Sequence, residues 1–375
     1  MINDAVLMNE EKAAFGLRAL YQSYGYTPYK MSKFEEYELY VRNKDFLVSD
    51  HVITFTDTNG RLMALKPDVT LSIIKNGKDS GDVTQKVYYN ENVYRVSKGS
   101  HAYKEIMQAG LECIGQIDDY QIFEVLMLAC ESLKMISDRF VLDISHLGIV
   151  SAIIERMQVT TAVRAELVKC IGEKNIHGIA ALCANNGIDA AAADDLVALI
   201  SAYGDSKATL AALCGRCVDT ETKAAYEQLC TVVGALERAG YGNAVRIDFS
   251  VTGDMRYYNG IVFRGFIDGV PTGILSGGQY DNLMRKMGRK AGAIGFAVYL
   301  DLLERMDIEN ENRYDVDVVL LYDADTDIAD LQSAVSALQA EGKSTMTQMQ
   351  VPEKIRCKEL LKLTKEGVQT IETNA

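Results

Sequence analysis

The stretch YKEIMQAGLECIG, residues 103–115, and the preceding YRV, residues 94–96, decide the fold because together they predict the central hairpin of a sheet. A strand-like segment, Lys86–Val96, leads into a loop of small and polar residues, and the second strand follows it. Arg95 on the first strand would face Gln108 and Glu112 on the second. This polar floor offers a guanidinium to a carboxylate or phosphate, and an acid to an amine. The structural alternative is an exposed hairpin face.

Polar residues also stand beside other predicted strands and turns. MALKPDVT, residues 63–70, places Asp68 and Thr70 just past a strand, where Asp68 could accept from an ammonium group. An acid and a hydroxyl after a proline are also ordinary helix-capping residues. RYYNGIVF, residues 256–263, carries Tyr257 and Tyr258 ahead of an Asn-Gly turn, although paired tyrosines are usually one core ring and one half-buried ring. SGGQYDNL, residues 276–283, adds a glycine-rich turn.

Composition restricts the class of protein. The chain has 375 residues with 39 Lys+Arg and 52 Asp+Glu, a formal net charge of −13, which argues weakly against nucleic-acid binding. The opening MINDAVLMNEEK has acids where a secretory signal has bases, and long apolar runs are absent, so we expect a soluble cytoplasmic protein without a membrane segment. The eight cysteines include one CxxC, Cys214 and Cys217, and the four histidines lack ligand spacing, so no metal site is predicted. No Walker loop, dinucleotide fingerprint, HExxH or GxSxG occurs.

Changes in composition predict the domain organisation. An Ala-rich segment, 148–242, is predicted to be a helical insertion within a domain formed by 1–147 and 243–306. Val245–Val251 alternates between apolar and polar residues, as a half-buried strand does. A helix over Leu300–Arg305 and a polar linker, Asp307–Tyr314, are predicted to precede a small α/β region, 315–375. Within that region we expect strands at Val316–Tyr322 and near Val368–Ile371, and helices after Ile328 and over Glu353–Lys365.

The ordered blocks MALKPDVT, YRV…YKEIMQAGLECIG, RYYNGIVF and SGGQYDNL resemble the histidyl-tRNA synthetase-like catalytic domain of the class II aminoacyl-tRNA synthetases. The resemblance covers about residues 10–305. It implies an α+β fold, with an antiparallel sheet flanked by helices, a helical insertion, and a small C-terminal α/β region like a shortened anticodon-binding domain. The segment LYQSYGYTPYKMSKFEE, residues 20–36, is similar to motif 1, through which this family forms dimers.

The resemblance assigns histidine recognition to residues retained in this chain: Asp68, Thr70, Gln108, Glu112, Tyr257 and Tyr258, with Arg95 available for the α-carboxylate. It also shows losses among the arginines that hold ATP in a synthetase. Gly253 replaces the histidine-specific catalytic arginine, Gln279 the arginine of GGRYD, and Leu302 the motif 3 arginine of GLER. The motif 2 loop has Ser97, Lys98, Ala102 and Lys104 instead of the family's Glu-Arg and further arginines. No catalytic residue is therefore predicted.

With histidine-binding residues retained and activating arginines lost, the chain resembles the regulatory subunits of ATP phosphoribosyltransferase. These subunits are the synthetase paralogues of histidine biosynthesis. The resemblance implies a non-catalytic subunit that activates a short-form catalytic subunit and confers feedback inhibition by L-histidine. It implies a homodimer within a hetero-oligomer, no cofactor on this chain, Mg only at the catalytic partner, and no nucleic-acid partner. The alternatives are an active or atypical histidyl-tRNA synthetase, and a synthetase paralogue that senses an amino acid.

Overall fold

The predicted central hairpin is present in the computed structural model, which describes residues 7–43, 52–77, 83–97, 100–303 and 314–374. Its two strands, Gln85–Val96 and Tyr103–Gly115, pair antiparallel along their whole length. Arg95 lies opposite Lys104, and Val87 lies opposite Glu112. The hairpin is therefore long enough to carry polar groups at several levels of one sheet.

The described helices, in chain order, are α1 Asn9–Ser23, α2 Tyr37–Arg42, α3 Thr70–Asn76, α4 Asp119–Ile136, α5 Leu147–Arg156, α6 Thr161–Gly172, α7 Ile176–Asn185, α8 Ala190–Ser201, α9 Ser206–Leu213, α10 Thr220–Arg238, α11 Asp281–Lys286 and α12 Ile328–Ala340. The described strands are β1 Thr27–Pro28, β2 Phe34–Glu36, β3 Thr54–Thr56, β4 Leu62–Leu65, β5 Gln85–Val96, β6 Tyr103–Gly115, β7 Phe140–His146, β8 Tyr203–Asp205, β9 Val245–Asp248, β10 Ile261–Ile267, β11 Leu275–Gln279, β12 Gly292–Tyr299, β13 Val316–Leu321, β14 Thr345–Gln348, β15 Cys357–Thr364 and β16 Gly367–Thr373.

A nine-stranded sheet forms the body of the first of two compact units, Met1–Met306. Its order is β1-β5-β6-β12-β11-β10-β7-β9-β8, and its pairs are antiparallel except β1 with β5 and β7 with β9. Successive side chains of a strand point to opposite faces. On β6, Leu111 and Cys113 belong to the apolar core shared with α1 and α4, so the side chain of Glu112, which lies between them in sequence, projects from the other face. This second face carries the site described below.

The Ala-rich segment is helical, as predicted, but it contributes to the same apolar core as the sheet. Leu167 of α6, Leu196 of α8 and Leu229 of α10 are fully buried in that core. The segment also contains one short strand that was not predicted, β8, which extends the sheet by pairing with β9. The limits 148 and 242 stay a prediction.

The second unit, Asp307–Ala375, contains a four-stranded sheet in the order β14-β13-β15-β16, together with α12. The predicted helix Glu353–Lys365 is wrong, because Cys357–Thr364 is the strand β15. The register shifts between Leu360 and Leu361, so both leucines are buried and the alternation breaks. Such a bulge gives the apolar residues 357, 360 and 361 the spacing of a helix.

Two further predictions fall partly outside the described residues. The predicted helix Leu300–Arg305 is a single 3-10 turn at Leu300–Leu302, and residues 304 and 305 lie outside the described ranges. Most of the predicted linker, residues 307–313, and Lys98 of the motif 2 loop also lie outside them.

Candidate functional site: an amino-acid pocket

A cavity of about 610 Å³ lies over the open face of the nine-stranded sheet. The residues predicted for histidine binding come from α3 and the loop before it, from β5 and β6, and from the segment before β10. All of them line this one cavity: Asp68, Thr70, Arg95, Gln108, Glu112, Tyr257 and Tyr258. Segments nearly 190 residues apart in sequence thus meet at one site.

Glu112 is the most deeply placed acid of the pocket, with 2% of its surface exposed. Thr70 donates from Oγ1 to Glu112 Oε1 at 2.7 Å, and the Tyr280 hydroxyl donates to Oε2 at 2.5 Å. Burial raises the pKa of Glu112 to about 8, although these two hydrogen bonds act in the opposite direction, while the charge of Asp68 adds to the rise. A carboxyl group with a pKa of about 8 is mostly protonated at neutral pH.

Asp68 combines a position predicted to bind ligand with a structural contact. Its Oδ1 accepts from the backbone N–H of Leu71 at 2.9 Å in the first turn of α3, so the capping role considered from the sequence is present. Burial raises the pKa of Asp68, whereas hydrogen bonds from the backbone of α3 and the charge of Arg95 lower it. Arg95 donates from Nε to the Pro67 carbonyl at 3.0 Å, which fixes the guanidinium beside this carboxylate.

Tyrosine rings form the walls of the pocket. The ring centroids of Tyr257 and Tyr258 are 4.6 Å apart, and those of Tyr257 and Tyr280 are 5.7 Å apart. Tyr89 of β5 also lines the cavity. Burial raises the pKa of each of these hydroxyls, so all of them keep their protons and can donate hydrogen bonds at neutral pH.

The three positions where the family's arginines are replaced lie in different surroundings. Gly253 lines the cavity with φ of +54°, and a Cβ atom there would lie 2.9 Å from Cδ2 of Tyr258. Gln279 is buried, and its Oε1 accepts from the backbone N–H of Ile261 at 2.8 Å. Leu302 packs against the apolar core. Of these three positions, only Gly253 lines the cavity.

Tyr280 was not predicted to belong to the site, although this residue stands within SGGQYDNL. No local pattern in the sequence indicates its role, because that role depends on strand pairing: Tyr280 directly follows β11, which pairs with β12, and Gly295 of β12 lies opposite Glu112 of β6. Because Gly295 has no side chain, Glu112 occupies the space beside it. The tyrosine and the glutamate are thus brought together across three strands.

This sheet and its pocket define the fold of the class II aminoacyl-tRNA synthetases. Among solved structures, the chain is similar to the ATP phosphoribosyltransferase regulatory subunit/histidyl-tRNA synthetase from Bacillus halodurans C, with a TM-score of 0.75 and 22% identity over 94% of this chain and 93% of that one. It is also similar to the ATP phosphoribosyl transferase (HisG:HisZ) complex from Thermotoga maritima, with a TM-score of 0.62 and 19% identity over 78% of this chain and 97% of that chain. The predicted fold class is confirmed.

The amino-acid sequence shows the family to which the chain belongs. The family model described as Histidyl-tRNA synthetase matches residues 5–303, and the chain belongs to this family. A curated relative, the ATP phosphoribosyltransferase regulatory subunit of Alkaliphilus metalliredigens (strain QYMF), is 27% identical over 287 residues, which cover 75% of this chain and 72% of the relative. The predicted resemblance to this family and to its regulatory paralogues is therefore confirmed.

Two features are absent from the residues that the structure describes. No helix there is long and apolar enough to cross a membrane. Within the same ranges, no group of three or more His, Cys, Asp or Glu side chains is arranged to hold a metal ion.

Proposed function

We propose that this chain is a non-catalytic regulatory subunit of ATP phosphoribosyltransferase, which binds L-histidine in the cavity. It would activate a short-form catalytic subunit and confer feedback inhibition on it. The observation that carries the proposal is that all the residues predicted for histidine binding line one cavity, which has a glycine at the position of the family's histidine-specific arginine. The names of the relatives support the same role.

The pocket offers one partner to each group of histidine. Asp68 and Arg95 lie side by side, so they match the ammonium and carboxylate of an amino-acid zwitterion. Glu112 lies deeper, where it accepts from Thr70 and from the Tyr280 hydroxyl, and an imidazole there would pack against the tyrosine walls and donate its ring N–H to the glutamate. Another side chain would leave Glu112 buried without that donor, which is how such a site discriminates among amino acids.

Few cations line the cavity, which supports the proposal that the chain does not activate amino acids. Binding three phosphates in a half-buried cleft requires several free cations. Within the described residues, the arginines of this cavity are Arg95, Arg256 and Arg264. Arg256 forms two hydrogen bonds to Asp254, from Nε to Oδ1 at 3.0 Å and from Nη2 to Oδ2 at 2.8 Å. An arginine at residue 253 would displace the ring of Tyr258.

The assembly we propose is a homodimer within a hetero-oligomer. Exposed apolar side chains lie on the small sheet β2-β4-β3, where the rings of Phe34 and Phe55 are 5.3 Å apart and Leu62 is also exposed. Phe34 belongs to the segment similar to motif 1, so this apolar patch suits a subunit interface. We propose that the chain works in the cytoplasm without a cofactor or nucleic acid, and that Mg is needed only by the catalytic subunit.

Calorimetric titration of the purified chain with L-histidine tests the pocket. Asp68→Asn keeps the oxygen that accepts from Leu71 but removes the charge, so we expect histidine affinity to fall at least about tenfold while the fold is kept. Asp325→Asn, at an exposed position of the second unit, is the matched control. If histidine does not bind to the chain or to its complex with the catalytic subunit, the proposal is wrong.

Two enzyme assays separate the alternatives. Histidine-dependent ATP–pyrophosphate exchange by the isolated chain would identify an active synthetase. Histidine binding without any effect on a short-form catalytic subunit would identify an amino-acid sensor that serves another partner.

A further inference from the structure

The cavity extends well beyond the amino-acid pocket. Its lining includes Glu112 on β6 at one end and Asp143 on β7 at the other. In the strand order β6-β12-β11-β10-β7 these two strands are four spacings apart, or about 19 Å. Between them, the hydroxyl groups of Tyr299 on β12 and Ser276 on β11 are hydrogen-bonded at 2.9 Å. The far end of the cavity is thus a separate space that one bound amino acid would leave empty.

Asp143 is a buried carboxylate at this far end. It is 7% exposed, and its Oδ1 has no hydrogen-bond partner among the residues that the structure describes. Burial, followed by the charge of Asp248, raises the pKa of Asp143 to about 6, while Lys174, Arg246 and Arg264 lower it. A desolvated carboxylate oxygen that lines a cavity and lacks a donor is a position where a ligand can donate.

Three cations surround this carboxylate, and two of them are engaged. Lys174 pairs with Asp248 at 2.8 Å and lies over the ring of Tyr203, 4.1 Å from its centroid. Arg246 donates from Nη1 to the carbonyl of Val245 at 2.9 Å.

Arg264 is the third cation. It lies directly opposite Asp143 in the pairing of β10 with β7 and lines the cavity. Its guanidinium has no hydrogen bond or ion pair to any other described residue, whereas its aliphatic stem packs against Gly273. Arg264 is exposed to solvent at the edge of the cavity, and a planar fork of donors at such a position suits a phosphate or a carboxylate.

We propose that the far end of the cavity is a second ligand site for a hydroxylated anion of the sugar-phosphate class. A ligand hydroxyl donates to Asp143 Oδ1, and the phosphate receives the donors of Arg264. The charges support this class, because Lys174, Arg246 and Arg264 outnumber Asp143 and Asp248 by one positive charge. A phosphate monoester, with between one and two negative charges at neutral pH, offsets that excess, whereas an amine would add to it.

Titration calorimetry on the full chain tests the second site with ribose 5-phosphate, ribose and inorganic phosphate as separate probes. We expect ribose 5-phosphate to bind at least about tenfold more tightly than either fragment, because only it reaches both groups. Arg264→Met, which keeps the aliphatic stem, should weaken its binding at least about tenfold. The affinity of Arg264→Lys for ribose 5-phosphate should lie between those of the unaltered chain and Arg264→Met, since lysine keeps the charge but not the planar set of donors. Asp143→Asn should weaken ribose 5-phosphate binding but should not weaken that of inorganic phosphate, because it removes a negative charge opposite Arg264.

Arg164→Met is the matched control, because Arg164 lies on α6, where it pairs with Glu155 and does not line the cavity. It should leave the binding of every probe unchanged, and thermal midpoints verify that each variant is folded. The proposal is overturned if ribose 5-phosphate does not bind at millimolar concentration, or if inorganic phosphate alone binds as tightly. It is also overturned if the folded Arg264 and Asp143 variants bind ribose 5-phosphate as the unaltered chain does.

Discussion

Replacing Glu112 by glutamine tests whether the pocket holds a protonated carboxyl group. Glutamine resembles the protonated acid in size and carries no charge, and its amide can keep hydrogen bonds to Thr70 and Tyr280. The pKa of Glu112 is raised from 4.5 to about 8. At 1.36 kcal/mol for each pKa unit, this rise corresponds to a linkage free energy of about 5 kcal/mol.

The sign of the effect follows from proton binding. Between about pH 4.5 and about pH 8 the folded chain holds a proton on Glu112 that the unfolded chain has lost. The free energy of unfolding therefore falls as the pH rises through this window, and the full cost is reached above about pH 8. Asp68 and Asp143 also have raised pKa values and add to the same slope, so the contribution of Glu112 is the difference between the unaltered chain and Glu112→Gln.

Urea unfolding of both proteins at several pH values between about 5 and 9 measures this difference. We expect the unaltered chain to lose several kcal/mol more than Glu112→Gln across this range. Parallel pH profiles for the two proteins would refute the reasoning, since they would mean that Glu112 ionises in the folded chain as it does in water.

Three other substitutions give distinct expected results. Tyr280→Phe removes a hydrogen-bond donor to Glu112, so it should raise the pKa of that carboxyl group further. It should also weaken histidine binding about fivefold, which corresponds to a hydrogen bond of about 1 kcal/mol. An unchanged affinity in calorimetry would contradict the role of this hydroxyl. Arg95→Met should weaken histidine binding by about 2 kcal/mol but leave the affinity for histidinol, which lacks the carboxylate, almost unchanged; equal losses for both ligands would show that Arg95 does not meet the carboxylate. Gln279→Arg should lower the free energy of unfolding in urea by about 1–3 kcal/mol, because the N–H of Ile261 loses its buried acceptor. It should not create ATP–pyrophosphate exchange, and exchange activity would disprove this account of the position.

The sequence could predict the sheet and the pocket because the motifs are local and ordered. The hairpin of β5 and β6 follows from strand-like segments around a polar loop, and the pocket residues were already clustered in short blocks. The contact of Tyr280 with Glu112 could not be predicted from those blocks, because it depends on the pairing of β6, β12 and β11.

Other features depend on tertiary packing that leaves no local pattern. Asp143 and Arg264 stand in apolar strands more than a hundred residues apart, and only the pairing of β7 with β10 places them opposite each other. In the second unit, the bulge in β15 gives apolar residues the spacing of a helix, so the predicted helix Glu353–Lys365 is wrong. Gln279 occupies a position where the family has an arginine, yet its side chain holds a backbone N–H of β10, which only the structure reveals.

The most direct test of the proposed function is the activity of a short-form ATP phosphoribosyltransferase catalytic subunit, measured with and without this chain over a range of L-histidine concentrations. We predict that the chain increases the activity, that histidine inhibits the complex, and that Asp68→Asn raises the histidine concentration for half-inhibition at least about tenfold. A catalytic subunit that is equally active without the chain, or inhibition that does not respond to Asp68→Asn, would contradict the account.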